Sequence, residues 1–187
     1  TYEVSRSLAA CEGALLVVDA TQGVQAQTLA NLRLARESKL TIIPIVNKID
    51  METARIEETS VELKELGFRE DEIIKISAKT GQNVEKVLEA IVDRIPEPRG
   101  DPAEPLRALV FSSQFDAHKG VVIFVRVVDG SITFDTDLRL QFLASGVTVT
   151  PIEVGHFIPA MNRKAGLEAG EVGYIATGLK DIRMARV

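Results

Sequence analysis

The stretch Ile42-Ile43-Pro44-Ile45-Val46-Asn47-Lys48-Ile49-Asp50 decides how this chain is read. A β-branched apolar run breaks off in Asn-Lys-Ile-Asp. A strand buried in a parallel sheet has this appearance when it delivers polar side chains to the carboxyl edge, where open α/β folds bind ligands. The chemistry offered at that edge is selective. The two oxygens of Asp50 can accept together from the ring N1–H and the exocyclic amino group of guanine. Adenine presents no such pair of donors. Lys48 can lay its aliphatic stem along a base plane, and the amide of Asn47 can tie neighbouring loops together. Any strand can end in polar residues, so the tetrad alone decides little.

A second element adds the weight. Ile73-Ile74-Lys75-Ile76 is another short apolar strand, and it runs into Ser77-Ala78-Lys79. Here the chain resembles guanine-nucleotide-binding proteins, in which a Ser-Ala-Lys loop after the next strand completes the base pocket. That resemblance implies that the small residue's N–H points at the guanine O6. Two motifs at strand ends, a helix's length apart, are far harder to meet by chance than one. The candidate nucleotide-binding residues are therefore Asn47, Lys48, Asp50, Ser77, Ala78 and Lys79.

Outward from these motifs, helical and extended segments alternate. Residues 2–11 carry Tyr2, Val4, Leu8 and Cys11 at helical spacing, and Gly13 ends the segment. Ala14 to Asp19 is a continuous apolar strand ending in an acid. A turn at 21–24 leads to an amphipathic helix over 25–37, with Leu29, Leu32 and Ala35 expected inside. A Glu-rich helix is expected over 52–66 with Ile56, Val61, Leu63 and Leu66 as its apolar points and Gly67 as its C′ residue. A last helix runs from about Asn83 to Arg94, with Val84, Val87, Leu88, Ile91 and Val92 as the buried stripe. Pro96 and Pro98 stop it. This order predicts a parallel sheet with right-handed crossovers.

From Glu97 to Pro105, three prolines in nine residues mark a stiff polar linker. Beyond it the period changes. Leu106 to Phe111 and Gly120 to Val128 read as strands, and the second is apolar on both faces. Asp129-Gly130 is a two-residue hairpin signal. Further strands are expected at 138–143, 147–153 and 172–177, with no convincing helix. Short strands and tight turns in this space suggest a small closed barrel. The expected boundaries are 1–98 for the α/β part, 99–105 for the linker and 106–187 for the barrel.

Composition narrows the classes. The chain has 187 residues, 45% hydrophobic and 26% charged, and no apolar run near the length of a membrane span. Residues 1–104 carry 13 Lys/Arg and 19 Asp/Glu, a balance of −6. Residues 105–187 carry 9 and 8, a balance of +1, which together give the net −5. The acidic first part argues against broad nucleic-acid binding there. The one cysteine, Cys11, excludes an internal disulfide and is expected to be a small buried thiol. His118 and His156 have no partner at ligand spacing, so no metal site is expected from the protein's own His and Cys.

A more specific resemblance runs along nearly the whole chain. The run from Tyr2 to Ala20, continued by Gln22 to Asn31, resembles the segment after the Asp-x-x-Gly motif in the LepA (elongation factor 4) family of translational GTPases. Gly120-Val121-Val122, Arg126 to Gly130, Val154-Gly155-His156-Phe157-Ile158-Pro159 and Ala169 to Tyr174 are similar to domain II of the same family. The fold so implied is the C-terminal half of a P-loop GTPase domain, an α/β parallel sheet, followed by an all-β barrel of translation-factor type. The family's Gly-x-x-x-x-Gly-Lys-Ser/Thr loop, its switch I threonine and its Asp-x-x-Gly are not in this sequence, which is therefore expected to be an excerpt.

The resemblance implies a ribosome-associated enzyme using GTP/GDP, with Mg2+ held by the motifs absent here. It implies small-subunit ribosomal RNA as the partner of the barrel, with Arg107, Lys119, Arg126, Arg163 and Lys164 as candidate contacts, and no DNA. It implies a cytoplasmic whole protein, with peripheral association at the inner face of the membrane as a further expectation. Two alternatives stay open at this stage: a translational GTPase of the translocase or BipA type, and a non-catalytic guanine- or RNA-binding module. The 187 residues alone are expected to have no GTPase activity.

Overall fold

The computed structural model describes residues 2–135 and 137–185, with the side chains of Tyr2 and Glu3 set aside. The chain divides into two compact units: Cys11–Glu97, and Thr1–Ala10 together with Pro98–Val187. The first helix, α1 (Tyr2–Ala9), thus groups with the β-rich unit and not with the strand that follows it.

The α/β unit holds three strands, β1 (Gly13–Asp19), β2 (Thr41–Asn47) and β3 (Ile74–Lys75), in the spatial order β1-β2-β3. Both pairings are parallel, as the alternation of helix and strand predicts. The helices are α2 (Ala26–Glu37), α3 (Ile56–Glu65) and α4 (Val84–Arg94). β2 is central and its side chains enter two cores. Val46 packs with Leu16, Val18, Leu32 and Leu63, while Ile43 and Ile45 pack with Ile74, Ile76, Val87 and Ala90. A proline inside a central strand removes a ladder donor. Pro44 sits one residue before β3 begins, since β3 pairs only with Ile45 and Val46.

Several apolar positions face water instead of the core. Leu32 and Ala35 of α2 are buried, but Leu29 is exposed; on α3, Leu63 is buried and Val61 is not. On α4 the buried residues are Val87 and Ala90, while Leu88 is 60% and Val92 81% exposed. The cause is angular: positions 87, 90 and 91 form one narrow stripe toward β2, and 88 and 92 lie on its flank. Cys11 is exposed, contrary to the expected buried thiol. α3 starts at Ile56, not near 52. Residues 48–54 are held in successive turns by Met51 N–H to Lys48 O (3.1 Å) and Ala54 N–H to Met51 O (3.0 Å), and Arg55 N–H donates to Ala20 O at 2.8 Å. Gly67, at φ +94°, follows α3 as its left-handed terminator, the conformation in which glycine is favoured.

The β unit is antiparallel. β4 (Arg107–Asp116), β5 (Gly120–Asp129), β9 (Glu153–Ile158), β10 (Ala160–Arg163) and β12 (Val172–Ala176) form one sheet in the order β10-β9-β12-β5-β4. β6 (Ser131–Thr133) pairs with β11 (Gly166–Glu168), and β7 (Leu140–Gln141) with β8 (Thr148–Val149). Val121, Ile123, Val125 and Val127 of β5 point into a shared core with Ile132, Val154, Leu167 and Ile175. Val122 and Phe124 on the other face pack against Tyr174, so β5 is covered on both sides. A short 3-10 turn, Ile182–Ala185, is the other non-extended element there.

Asp129-Gly130 is not a two-residue hairpin. β6 pairs with β11 and leaves β5. The dipeptide instead anchors the linker: Asp101 N–H donates to Asp129 Oδ1 at 3.2 Å, and Gly130 N–H donates to Asp101 O at 2.9 Å. A Cβ at Gly130 would lie 2.7 Å from Glu104 O, and its φ is +69°. The hairpin of this region joins β4 to β5, with Asp116 Oδ1 accepting from the N–H groups of His118 and Lys119, both at 2.8 Å.

Candidate functional site

At the carboxyl edge of the parallel sheet, β1 ends in Asp19 and β2 in Asn47, which are register partners. Beyond β3, residues 76–79 run past the same edge: Ile76 N–H donates to Val46 O at 2.8 Å, and Ile49 N–H donates to Ile76 O at 3.2 Å. These backbone bonds bring the Asn47–Asp50 and Ser77–Lys79 segments side by side.

Side chains then lock the two segments. Asn47 Oδ1 accepts from Lys48 N–H at 2.7 Å and from Ala78 N–H at 3.0 Å. The Ala78 N–H, expected from the resemblance to donate to a base oxygen, is here engaged by Asn47. Ser77 is fully buried, and its hydroxyl donates to Asp50 Oδ1 at 2.6 Å while accepting from Thr80 N–H at 3.1 Å. That bond favours the charged carboxylate and holds Asp50 below the usual carboxylate range, with Lys79 and Lys48 adding to it. Asp50 is thus an acceptor with one oxygen committed to Ser77. Asn83, left-handed at φ +59°, closes the loop by donating its side-chain amide to Lys75 O at 2.8 Å.

Lys48 has a left-handed backbone, φ +67°, rare for a residue with a Cβ. Its amide bond to Asn47 Oδ1 and its carbonyl's bond to Met51 hold that conformation. Its ammonium reaches Asp19 Oδ2 at 2.6 Å. Asp19 also accepts from Thr21 N–H (2.9 Å), Thr21 Oγ1 (2.7 Å) and Gln22 Nε2 (3.3 Å). Lys48 first, and then the Thr21 hydroxyl and N–H, bring its pKa down to about 2. Sequence reasoning gave Asp19 no role beyond ending a strand. The signal was its place, since an acid closing the strand beside β2 lands next to Asn47 and Lys48.

The rim is an open shelf. Lys48, Asp50, Ala78 and Lys79 are exposed. Hollows of about 530 Å³ in the β unit and about 500 Å³ beside α4 include none of these residues. Among the described residues no group of three or more His, Cys, Asp or Glu is placed to hold a metal. No helix among them is long and apolar enough to cross a membrane.

The five candidate RNA-contacting cations of the β unit fare unequally. Arg126 is 7% exposed and donates to Ala10 O at 3.1 Å, which removes it as a surface contact. Its position on β5 alternates with the core-facing residues and carries it under α1. Arg107, Lys119 and Lys164 are paired with Asp129, Glu153 and Glu171, and Arg163 lies over the Phe134 ring at 5.2 Å.

Comparisons with known proteins place this geometry in a family. The chain is 53% identical over 187 residues to elongation factor 4 of Clostridium tetani and 52% identical over 188 residues to that of Dehalococcoides mccartyi strain BAV1. It is fully covered in both, and spans 31% of each relative's length. Solved structures share the fold: a bacterial selenocysteine-specific elongation factor EF-Sec, with TM-score 0.72, 24% identity, 96% of this chain and 31% of that one, and translation elongation factor SelB of Methanococcus maripaludis, with TM-score 0.74, 20% identity, 90% and 37%. Residues 1–97, with both strand-end motifs inside them, match the family model of the elongation factor Tu GTP binding domain, and the chain belongs to that family.

Proposed function

We propose that this chain carries the guanine-recognition edge and domain II of a ribosome-associated translational GTPase of elongation factor 4 type. One observation carries the reading: the Asp50–Ser77 bond of 2.6 Å and the Asn47–Ala78 bond of 3.0 Å join two strand-end loops into one rim. A purine seated there meets the free acceptor capacity of Asp50 at its N1–H and exocyclic amine. The Lys48 stem lies along the ring, and the Ser77-Ala78-Lys79 loop faces its O6 side. For a base oxygen to take the Ala78 N–H, that proton must leave Asn47 Oδ1, whose acceptor then turns to other partners. GTP and GDP share this base, so the rim recognises both.

The phosphate-binding loop and Mg2+ supply the electrostatics of hydrolysis in the whole protein. The 187 residues by themselves are expected to show no GTP turnover above background in a phosphate-release assay. The cytoplasm, small-subunit ribosomal RNA and ribosome association belong to the same proposal for the whole protein. Of the basic candidates, Arg107, Lys119, Arg163 and Lys164 keep a place in it, with phosphate replacing carboxylate at three of them. Identity above 50% to elongation factor 4 over the full chain favours this type over the translocase or BipA types and over a non-catalytic module.

The test is a base swap in the full-length protein. Asp50→Asn turns an acceptor into a donor facing N1–H and the amine. GDP affinity should fall by about 100-fold, the scale of charge-assisted hydrogen bonds worth ~1.5–3 kcal/mol each. Xanthosine diphosphate, with a carbonyl at C2, should bind better than GDP. An unchanged preference for GDP would sink the assignment.

A further inference from the structure

We infer that Asp19, outside both base motifs, is a positioning residue for the nucleotide: its carboxylate anchors the ammonium of Lys48 so that the lysine stem is stretched across the place where the base lies. This rests on the guanine reading above and extends it to a third strand.

Four features of the α/β unit support it. Lys48 Nζ, one residue past β2, is 2.6 Å from Asp19 Oδ2 at the end of the neighbouring β1. Lys48 is already committed at its backbone, with φ +67° and bonds at both N–H and C=O, so its side chain leaves the rim in one direction. Asp19 is itself immobilised. Its other contacts, Thr21 N–H, Thr21 Oγ1 and Gln22 Nε2, form a tight turn, and its carbonyl accepts from Gln22 N–H (3.0 Å) and Gly23 N–H (2.9 Å). That turn is pinned from α3, where Glu62 Oε2 accepts Val24 N–H at 2.7 Å. A lysine is rotamer-rich, and ordering it at the moment of binding costs affinity. Holding its far end on a fixed carboxylate beforehand removes much of that cost from the binding step. The carboxylate also neutralises the ammonium, so the stem can present apolar surface to a ring.

This division of labour makes a distinctive expectation. Asp50 reads which base is present, whereas Asp19 sets how well any base is covered. Loss of Asp19 should therefore weaken all purine diphosphates that the rim accepts by one common factor.

The experiment uses the full-length protein with Asp19→Asn, Lys48→Met, the double variant and Asp50→Asn, titrated with GDP and inosine diphosphate. Asparagine keeps an acceptor for Thr21, so the turn is retained, and methionine keeps an apolar stem without charge. Asp19→Asn should weaken GDP and inosine diphosphate alike by about fivefold, the scale of a partly exposed ion pair. In the Lys48→Met background, Asp19→Asn should add nothing, because the two act as a unit. If Asp19→Asn binds GDP as well as the wild type, or if its loss persists undiminished in the Lys48→Met background, the inference is overturned and Asp19 merely shapes its loop. If Asp50→Asn loses GDP in those same titrations, the base reading survives that failure. If Asp50→Asn and Lys48→Met both bind GDP normally, the base reading falls and this inference falls with it.

Discussion

The two units spend their apolar residues differently. In the β unit, Val121, Ile123, Val125 and Val127 are all at most 3% exposed and share one core. In the α/β unit, β1 buries Leu16 and Val18 but leaves Leu15 at 41% and Val17 at 52% exposure, and α4 leaves Leu88 and Val92 out as well. Leu15 and Val17 stand in register with Ile43 and Ile45, so they share the sheet face that α4 covers only over β2 and β3. The β unit uses its hydrophobic pattern fully inside itself. The α/β unit carries more apolar surface than its own three helices cover, on an edge strand, where open pairing groups add to the hazard.

The difference can be broken first in the cores. Ile123→Ala should destabilise the β unit by about 2–5 kcal/mol, since it removes buried methylenes and leaves a cavity. Val92→Ala, as apolar in sequence, should stay within about 0.5 kcal/mol. Urea unfolding of the chain, followed by unit-specific NMR signals, measures both; a Val92→Ala loss as large as that of Ile123→Ala would mean the exposed flank is in fact packed.

Acid sharpens the comparison further. Asp19 in the folded α/β unit titrates at about 2, below its ordinary 3.8, because Lys48 and Thr21 favour the charged form. A folded pKa below the unfolded one stabilises above the unfolded value, and that stability is lost as pH falls toward the folded value. The α/β unit should therefore weaken between about pH 4 and pH 2, and Asp19→Asn should flatten that limb. Thermal melts across the interval test this, and an equally steep limb in the variant would assign the loss to other carboxylates.

A small change in stability is also expected at the uncovered strand. Leu15→Thr with Val17→Thr keeps β-branched or strand-tolerant chemistry and removes exposed apolar area. Folding stability should shift by less than about 1 kcal/mol, within the range of surface changes. The concentration at which the isolated chain begins to associate in light scattering should nevertheless rise. No rise would show that β1's face does not drive association.

Where the sequence was legible, one physical signal dominated. β2 is apolar on both faces because two cores meet on it, and its abrupt polar end marks the sheet edge. Both strand-end motifs were visible for the same reason. The helix faces were only half legible. Val61, Leu88 and Val92 sit at helical spacing, but spacing cannot say which apolar residues lie on the flank of a stripe. Asp129-Gly130 misled because a turn dipeptide fixes a local bend and not the partner of the next strand; here β6 pairs with β11, and the dipeptide binds the linker.

The amino-acid order thus determined the parallel α/β unit, the antiparallel β unit after the prolines, and the strand-end residues proposed to meet a guanine, because each depends on local period or on side-chain chemistry. Only the tertiary structure decided that Asn47 holds the Ala78 amide, that Lys48 is tethered by Asp19 from the neighbouring strand, that Arg126 is buried, and that α1 groups with the β unit. Each of these joins residues that are distant along the chain or sets one side chain's burial, and such relations are fixed by register and packing, which no local pattern encodes.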